Sequence, residues 1–407
     1  VSALEDFRRI AESHDRCFWL DGGGSQPWSG RRSIMGWLDE DDLSLTYDAT
    51  RRVVVEHPSG RVVGDDVFAV LQQHQDGDPD THWVGYLGYA ARPDLPARSM
   101  PGVPDAVWMR TRSVQLTEEP GRVLRRSPGQ PPEHSTPPWY ADAFAAVQEQ
   151  LHGGNSYEVN LTYRTQEASG SDPVDVYGRM RSTNPAPYAG ALRHGDTWLL
   201  SASPERFATI DRHRRVETRP IKGTTPRGAT AEEDEDLRRR LATEPRFRAE
   251  NLMITDLLRN DLSMVCEPGT VAVPHLMEVE SYATVHQLVT TVTGQLRADV
   301  GTVEALRALF PAGSMTGAPK LRTMQVIDAV EDSPRGVYAG AFGWISGDGR
   351  ADLGVVIRSL FRAGGGAWTL GTGGGITVHS DVDEEWAETL WKADRVRAAL
   401  DEDHQKP

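Results

Sequence analysis

Residues 338–362 read YAGAFGWISGDGRADLGVVIRSLFR, with apolar runs at 338–346 and 353–362 on either side of Gly347-Asp348-Gly349. Glycine and aspartate tolerate the backbone of a tight hairpin turn, so the segment predicts two antiparallel strands. Working outward, residues 157–163 alternate cleanly. Tyr157, Val159, Leu161 and Tyr163 would face one way, and Glu158, Asn160 and Thr162 the other. Further strands are expected at 51–56, 83–89, 198–202, 214–218 and 285–293. Helical spacing marks 140–151, where Phe144, Val147 and Leu151 repeat and Gly153-Gly154 ends the run. More helices are expected at 247–262, 303–310, 318–330 and 383–400. Strands and helices mix without regular βαβ alternation, which predicts an α+β fold with large antiparallel sheets. No internal repeat is found.

The 407 residues are 25 % charged and 38 % hydrophobic, the profile of a globular chain rather than a disordered one. No apolar run approaches a bilayer span. Residues 1–10 carry Glu5 and Asp6 and lack an apolar signal core, so export is not expected. The two cysteines, Cys17 and Cys266, have no metal-like spacing and fit a reducing compartment, the cytoplasm. A net charge of −15 argues against binding nucleic acid or an anionic membrane. The acid run 232–236 reads as a solvated helix start. Residues 127–138, SPGQPPEHSTPP, are too rich in proline for a helix or central strand. They connect an N-terminal part, 1–137, to a longer part, 138–402.

Several clusters can carry chemistry. On the last helix Glu385, Glu388 and Lys392 fall at i, i+3 and i+7 and share a face. Alone they describe a solvated charged face. Before them lies Gly371-Thr372-Gly373-Gly374-Gly375, a run read as a loop whose N–H groups could approach an anion. Glu250, in RAENLMITDLLRNDL, offers a carboxylate from a second helix. Carboxylates from two elements, completed by substrate oxygens and water, suit Mg²⁺. Glu250 equally fits a plain helix-dipole role. In RPIKGT, Lys222 sits between proline-fixed backbone and Gly223. Desolvation or neighbouring cations could lower its pKa and leave a nucleophilic amine, although most lysines are simply exposed. The loop FPAGSMTGAPK, 310–320, would suit an oxygen-rich ligand or serve as a capping turn.

Taken together, these segments resemble the chorismate-utilising enzymes, a family that includes anthranilate, aminodeoxychorismate, isochorismate and salicylate synthases. The ordered motifs are SPERF (203–207), RPIKGT, AENLMITDLLRNDL, FPAGSMTGAP, DLGVVIRSL, GTGGGI and EEWAET, spread over about 140–400. The resemblance implies one large α+β domain that includes the N-terminal part: two antiparallel sheets packed face to face, helices outside, and an active-site cleft.

It also implies roles. Glu250 and Glu388 would ligate magnesium, with Glu385 acting nearby through water. Tyr338 and Arg358 would hold the ring carboxylate of chorismate, and Gly373, Gly375 and Lys392 the enolpyruvyl carboxylate. Gly223, Thr224, Ser314 and Thr316 would complete the substrate contacts. Glu205 would protonate the departing 4-hydroxyl. Anthranilate synthases carry alanine at the position of Lys222, and aminodeoxychorismate synthases carry lysine. The implied chemistry is attack of Lys222 on ring carbon 2 as the 4-hydroxyl leaves, followed by attack of ammonia on carbon 4. Water-using relatives place a lysine where this chain has Glu158, so water attack is disfavoured. Many relatives have histidine at Gln287; the adjacent His286 should face away. Residues 18–36 resemble the tryptophan-binding part of relatives, with Gly22 to Gly24 replacing the expected serine pattern. Neither cysteine lies in a glutaminase-like context, so ammonia would come from a separate glutamine amidotransferase subunit. Two alternatives stay open: an anthranilate or 2-amino-2-deoxyisochorismate synthase subunit, and a non-catalytic chorismate-binding regulatory subunit.

Overall fold

The predicted hairpin forms. Strands Ala341–Ser346 and Ala351–Val355 pair antiparallel, with Gly349 at φ 91° in the turn. The second apolar run, however, does not continue as one strand. Arg358 adopts φ 50°, and Ser359–Arg362 pairs in a different sheet from Ala351–Val355. A chain that passes between two stacked sheets must bend, and the bend falls on a non-glycine residue, where positive φ is uncommon. Tyr338 likewise precedes the first strand, in a turn where Ala339 sits at φ 64°.

This computed structural model describes residues 2–22, 32–111, 114–118, 135–282 and 285–401. Gly23, Gly24 and residues 127–134 of the proline-rich connector lie outside them. Among the described residues the strands form two antiparallel sheets, one of nine strands and one of twelve. Strands from before residue 137 enter both. Arg16–Asp21 pairs with Tyr188–His194 in the nine-stranded sheet, and His82–Leu87 pairs with Ala341–Ser346 in the twelve-stranded one.

Alternation explains how the sheets stack. In Thr197–Ser203 every residue is buried, yet Leu199 joins the core between the sheets while Trp198 and Leu200 join a second core under helices. Phe18 and Trp19 divide in the same way. The inter-sheet core takes Phe18, Leu192 and Leu199 from one sheet and Trp83, Phe342 and Leu353 from the other. Fully burying such side chains stabilises the stack by about 1.5–3 kcal/mol each. A third core, with Phe144, Val147, Leu161 and Trp386, seats the helix Pro138–His152 on the strand Glu158–Glu167.

Helices occur where spacing predicts them: Pro138–His152, Pro245–Ser263, Thr302–Leu309, Lys320–Val330 and Val382–Arg397. The helix expected from 318 begins at Lys320, because Gly317–Ala318 pairs as a short strand with Val159 and Glu158. The acid run is not simply solvated. On the helix Ala231–Thr243, Asp234 accepts from Arg227 Nη2 at 2.7 Å and lies 3.1 Å from His286 Nε2.

Candidate active site

Strand Trp368–Ile376 contains the whole glycine run, which is therefore a strand and not a loop. It pairs with Glu158–Glu167, Gly373 opposite Thr162 and Gly375 opposite Asn160. These glycines serve close approach rather than an unusual turn. A Cβ at Gly371 would collide with the Tyr338 ring, and one at Gly375 with Glu158 Oε1 and Lys222 Nζ. Bare backbone thus forms the floor of a cavity at one end of the nine-stranded sheet.

The strand Ile221–Pro226, an end strand of the twelve-stranded sheet, brings Lys222 to the same cavity. Gly223 follows at φ 93°, a backbone that glycine adopts without strain. Lys222 is buried, and its ammonium donates to Glu158 Oε1. This reverses the expected shift. Burial alone would lower the lysine pKa, but the Glu158 carboxylate overrides it and holds the pKa above the usual lysine range. Before substrate arrives, Lys222 is an ammonium.

Glu205 follows the strand Thr197–Ser203 and is buried. Burial pushes its carboxyl up to about 7, against the Ser314 hydroxyl, which donates to Oε1, and the Lys222 charge. A carboxyl near 7 can keep its proton and give it up, as a general acid must. Arg358, at the crossover between the sheets, also lines the cavity. Burial and then the Arg395 guanidinium bring its pKa down to about 10, so it is a cation whose charged form gains from an arriving carboxylate. Tyr338 also lines the cavity.

Two helices supply carboxylates. Glu250 comes from Pro245–Ser263, and Glu385 and Glu388 come from Val382–Arg397, all lining the cavity. Burial, then repulsion from Glu158, pushes Glu250 up to about 7. Burial, then Glu388, pushes Glu385 up to about 8. Glu388 goes the other way: burial would raise it, but Lys392 Nζ at 2.7 Å holds it below the ordinary range. Arg246 stands among the group, donating to Glu385 at 2.6 Å and lying 3.4 Å from Glu250. Among the described residues no three acidic, histidine or cysteine side chains are close enough to cage an ion unaided. Buried, mutually repelling carboxylates facing a cleft fit a hard cation whose remaining ligands are substrate oxygens and water. Lys392 also donates to the Gly373 carbonyl at 3.0 Å, which ties the last helix to the glycine strand.

Glu205, Lys222, Gly223, Thr224, Glu250, Ser314, Tyr338, Arg358, Gly373, Gly375, Glu385, Glu388 and Lys392 all line this one cavity. Thr316 does not. Its hydroxyl turns back to the carbonyls of Ala312 and Gly313, closing the 3₁₀ turn Gly313–Met315. Gln287 lines the cavity, whereas His286 faces away toward Ser281 and Asp234. Both cysteines are buried and free, and burial pushes Cys17 up to about 12 and Cys266 up to about 11, unlike an activated thiol. The sequence reading missed Arg246, although its position four residues before Glu250 was a legible helical pair. It also missed the bond between Glu158 and Lys222, which join strands 64 residues apart.

Residues 118–398 match a family model described as chorismate binding enzyme. An aminodeoxychorismate synthase of Streptomyces pristinaespiralis is 38 % identical, the match covering 95 % of this chain and 62 % of that one. Aminodeoxychorismate synthase component 1 of Klebsiella aerogenes is 42 % identical over 64 % of this chain and 58 % of its own length. The chain thus spans about three fifths of these relatives. Among solved structures, anthranilate synthase component I of Streptococcus pneumoniae superposes with a TM-score of 0.77 at 25 % identity, covering 92 % of this chain and 93 % of that one.

Proposed function

The chain belongs to the chorismate-binding enzyme family, and from that premise we propose that it aminates chorismate at ring carbon 4, as the chorismate-binding subunit of an aminodeoxychorismate synthase. The observation that carries this reading is Lys222, buried in the same cavity as Glu205 and the three glutamates. Anthranilate-type members of the resembling family have alanine there and direct ammonia to carbon 2. A covalent lysine at carbon 2 blocks that carbon and shifts the double bond, leaving carbon 4 as the site for ammonia.

The chain's own groups divide the work. Arg358 and Tyr338 would orient the ring carboxylate. The backbone of Gly373 and Gly375, with Lys392, would receive the enolpyruvyl carboxylate, and Gly223, Thr224 and Ser314 would fill the rim. Glu205 would protonate the 4-oxygen, which leaves poorly without a proton. Glu250 and Glu388, with Glu385 behind them, would hold Mg²⁺, whose charge would fix the substrate carboxylate and offset the negative cavity. Ammonia would come from a separate glutamine amidotransferase, since both cysteines here are buried.

The second reading is amination at carbon 2, favoured by the structural likeness to an anthranilate synthase component. One incubation separates the two. The chain with chorismate, Mg²⁺ and an ammonium salt at high pH should give 4-amino-4-deoxychorismate, identified by mass and by lyase conversion to p-aminobenzoate. Anthranilate as the product would establish the second reading instead, and no turnover would leave a regulatory chorismate-binding subunit.

A further inference from the structure

Glu158 is fully buried; its Oε1 accepts from Lys222, and its Oε2 is buried with no hydrogen-bond partner among the described residues. A buried carboxylate oxygen left unpaired is destabilising and calls for an explanation. Three other charged groups surround the lysine nitrogen: Glu205 after the strand Thr197–Ser203, Glu250 on the helix Pro245–Ser263, and Glu388 on the last helix. Among the described residues only Glu158 is hydrogen-bonded to Nζ. Gly375 keeps the space around that bond clear, since a Cβ there would strike both partners. A lysine that attacks carbon must first lose a proton, and the acceptor in contact is Glu158.

We propose that Glu158 is the base that takes the proton of Lys222 before the lysine attacks chorismate, and that returns it when the lysine is released. The inference rests on the covalent-lysine reading above. An Nζ–H bond breaks and a Glu158 O–H bond forms. The freed pair on Nζ bonds to carbon 2, the ring double bond shifts, and the carbon 4–oxygen bond breaks, water leaving with a proton from Glu205. Ammonia then bonds to carbon 4, the double bond shifts back, and the Nζ–carbon 2 bond breaks. The new ammonium gives one proton to Glu205, and Glu158 returns its proton to Nζ, restoring both groups.

In the wild-type enzyme the proton stays within the pair, so the rate of adduct formation should be level below about pH 7 and fall above it only as Glu205 loses its proton. Glutamine has the same shape but cannot accept the proton. In Glu158→Gln the proton must leave to solvent, and the rate should climb about tenfold per pH unit below about pH 7, levelling above it as Glu205 loses its proton. The experiment is rapid-quench mass spectrometry of Lys222 in the full chain with chorismate and Mg²⁺, ammonia withheld, over a pH series. Glu158→Gln should be slower at pH 7 by about 100-fold or more, with the sloping profile and unchanged chorismate binding. A level profile below pH 7 in Glu158→Gln overturns the proposal. Should that variant not fold, Glu158→Asp replaces it: a slower profile that is level below pH 7 supports the proposal, and one that climbs with pH there overturns it. A wild-type enzyme that forms no adduct fails at the earlier step, the covalent lysine itself.

Discussion

Burial places the Glu205 carboxyl near 7, so turnover that needs its proton should decline as pH rises past that value. The sign for stability follows from the same shift. A carboxyl raised in the folded state stabilises the fold fully below its unfolded pKa, near 4.5, and loses that contribution as pH rises through about 7. Glu205→Gln should therefore cut turnover by about 10²–10⁴-fold. It should also remove up to about 3 kcal/mol of the stability lost between pH 5 and pH 8. Urea titrations of both proteins at the two pH values measure this, and identical pH dependence would mean that Glu205 is not the buried acid. Motif order made Glu205 and Lys222 legible as residues. The ionisation of Lys222 was not legible, because its partner Glu158 is remote in sequence and is set beside it only by the meeting of two sheets.

Elements decide how close the glycine backbone and the helix carboxylates can come. Gly375→Ala places a methyl against Glu158 and Lys222, and it should lower turnover at least tenfold while leaving circular dichroism unchanged. Gly366→Ala, whose nearest neighbour would be the Ala363 carbonyl at 3.5 Å, is the control expected to stay active. Equal activity in the two variants would remove the close-approach argument. Glu250→Gln and Glu388→Gln take one proposed magnesium ligand from each of the two converging helices. Each should abolish turnover at ordinary Mg²⁺ without unfolding, and a rate titration against Mg²⁺ reads the effect. A wild-type rate in either variant removes that residue from the proposed metal site. The helices and the hairpin were readable from local spacing. The glycine run was misread as a loop because glycine carries no period, and its pairing with residues 159–167 is a long-range fact. The passage of residues 353–362 between sheets was hidden for a similar reason: an unbroken apolar run does not reveal the bend at Arg358.

Across the whole molecule, the cavity exists because strands near one end of each sheet and two outer helices converge on one place. No helix among the described residues is long and apolar enough to cross a membrane. The same arrangement supplies the side chains of the proposed chemistry, and among the described residues no source of ammonia. Ammonium salts should therefore support turnover by the chain alone, and glutamine only when a glutaminase is added. Activity on glutamine with free ammonia excluded would overturn that division of labour. The most direct test of the account is the covalent state of Lys222. Held with chorismate and Mg²⁺ but no ammonia, the wild-type chain should gain the mass of chorismate minus water, and peptide mapping should locate it on Lys222. Lys222→Ala should gain nothing and lose 4-amino-4-deoxychorismate formation. An unmodified Lys222, together with near wild-type formation of that product by Lys222→Ala, would contradict the account.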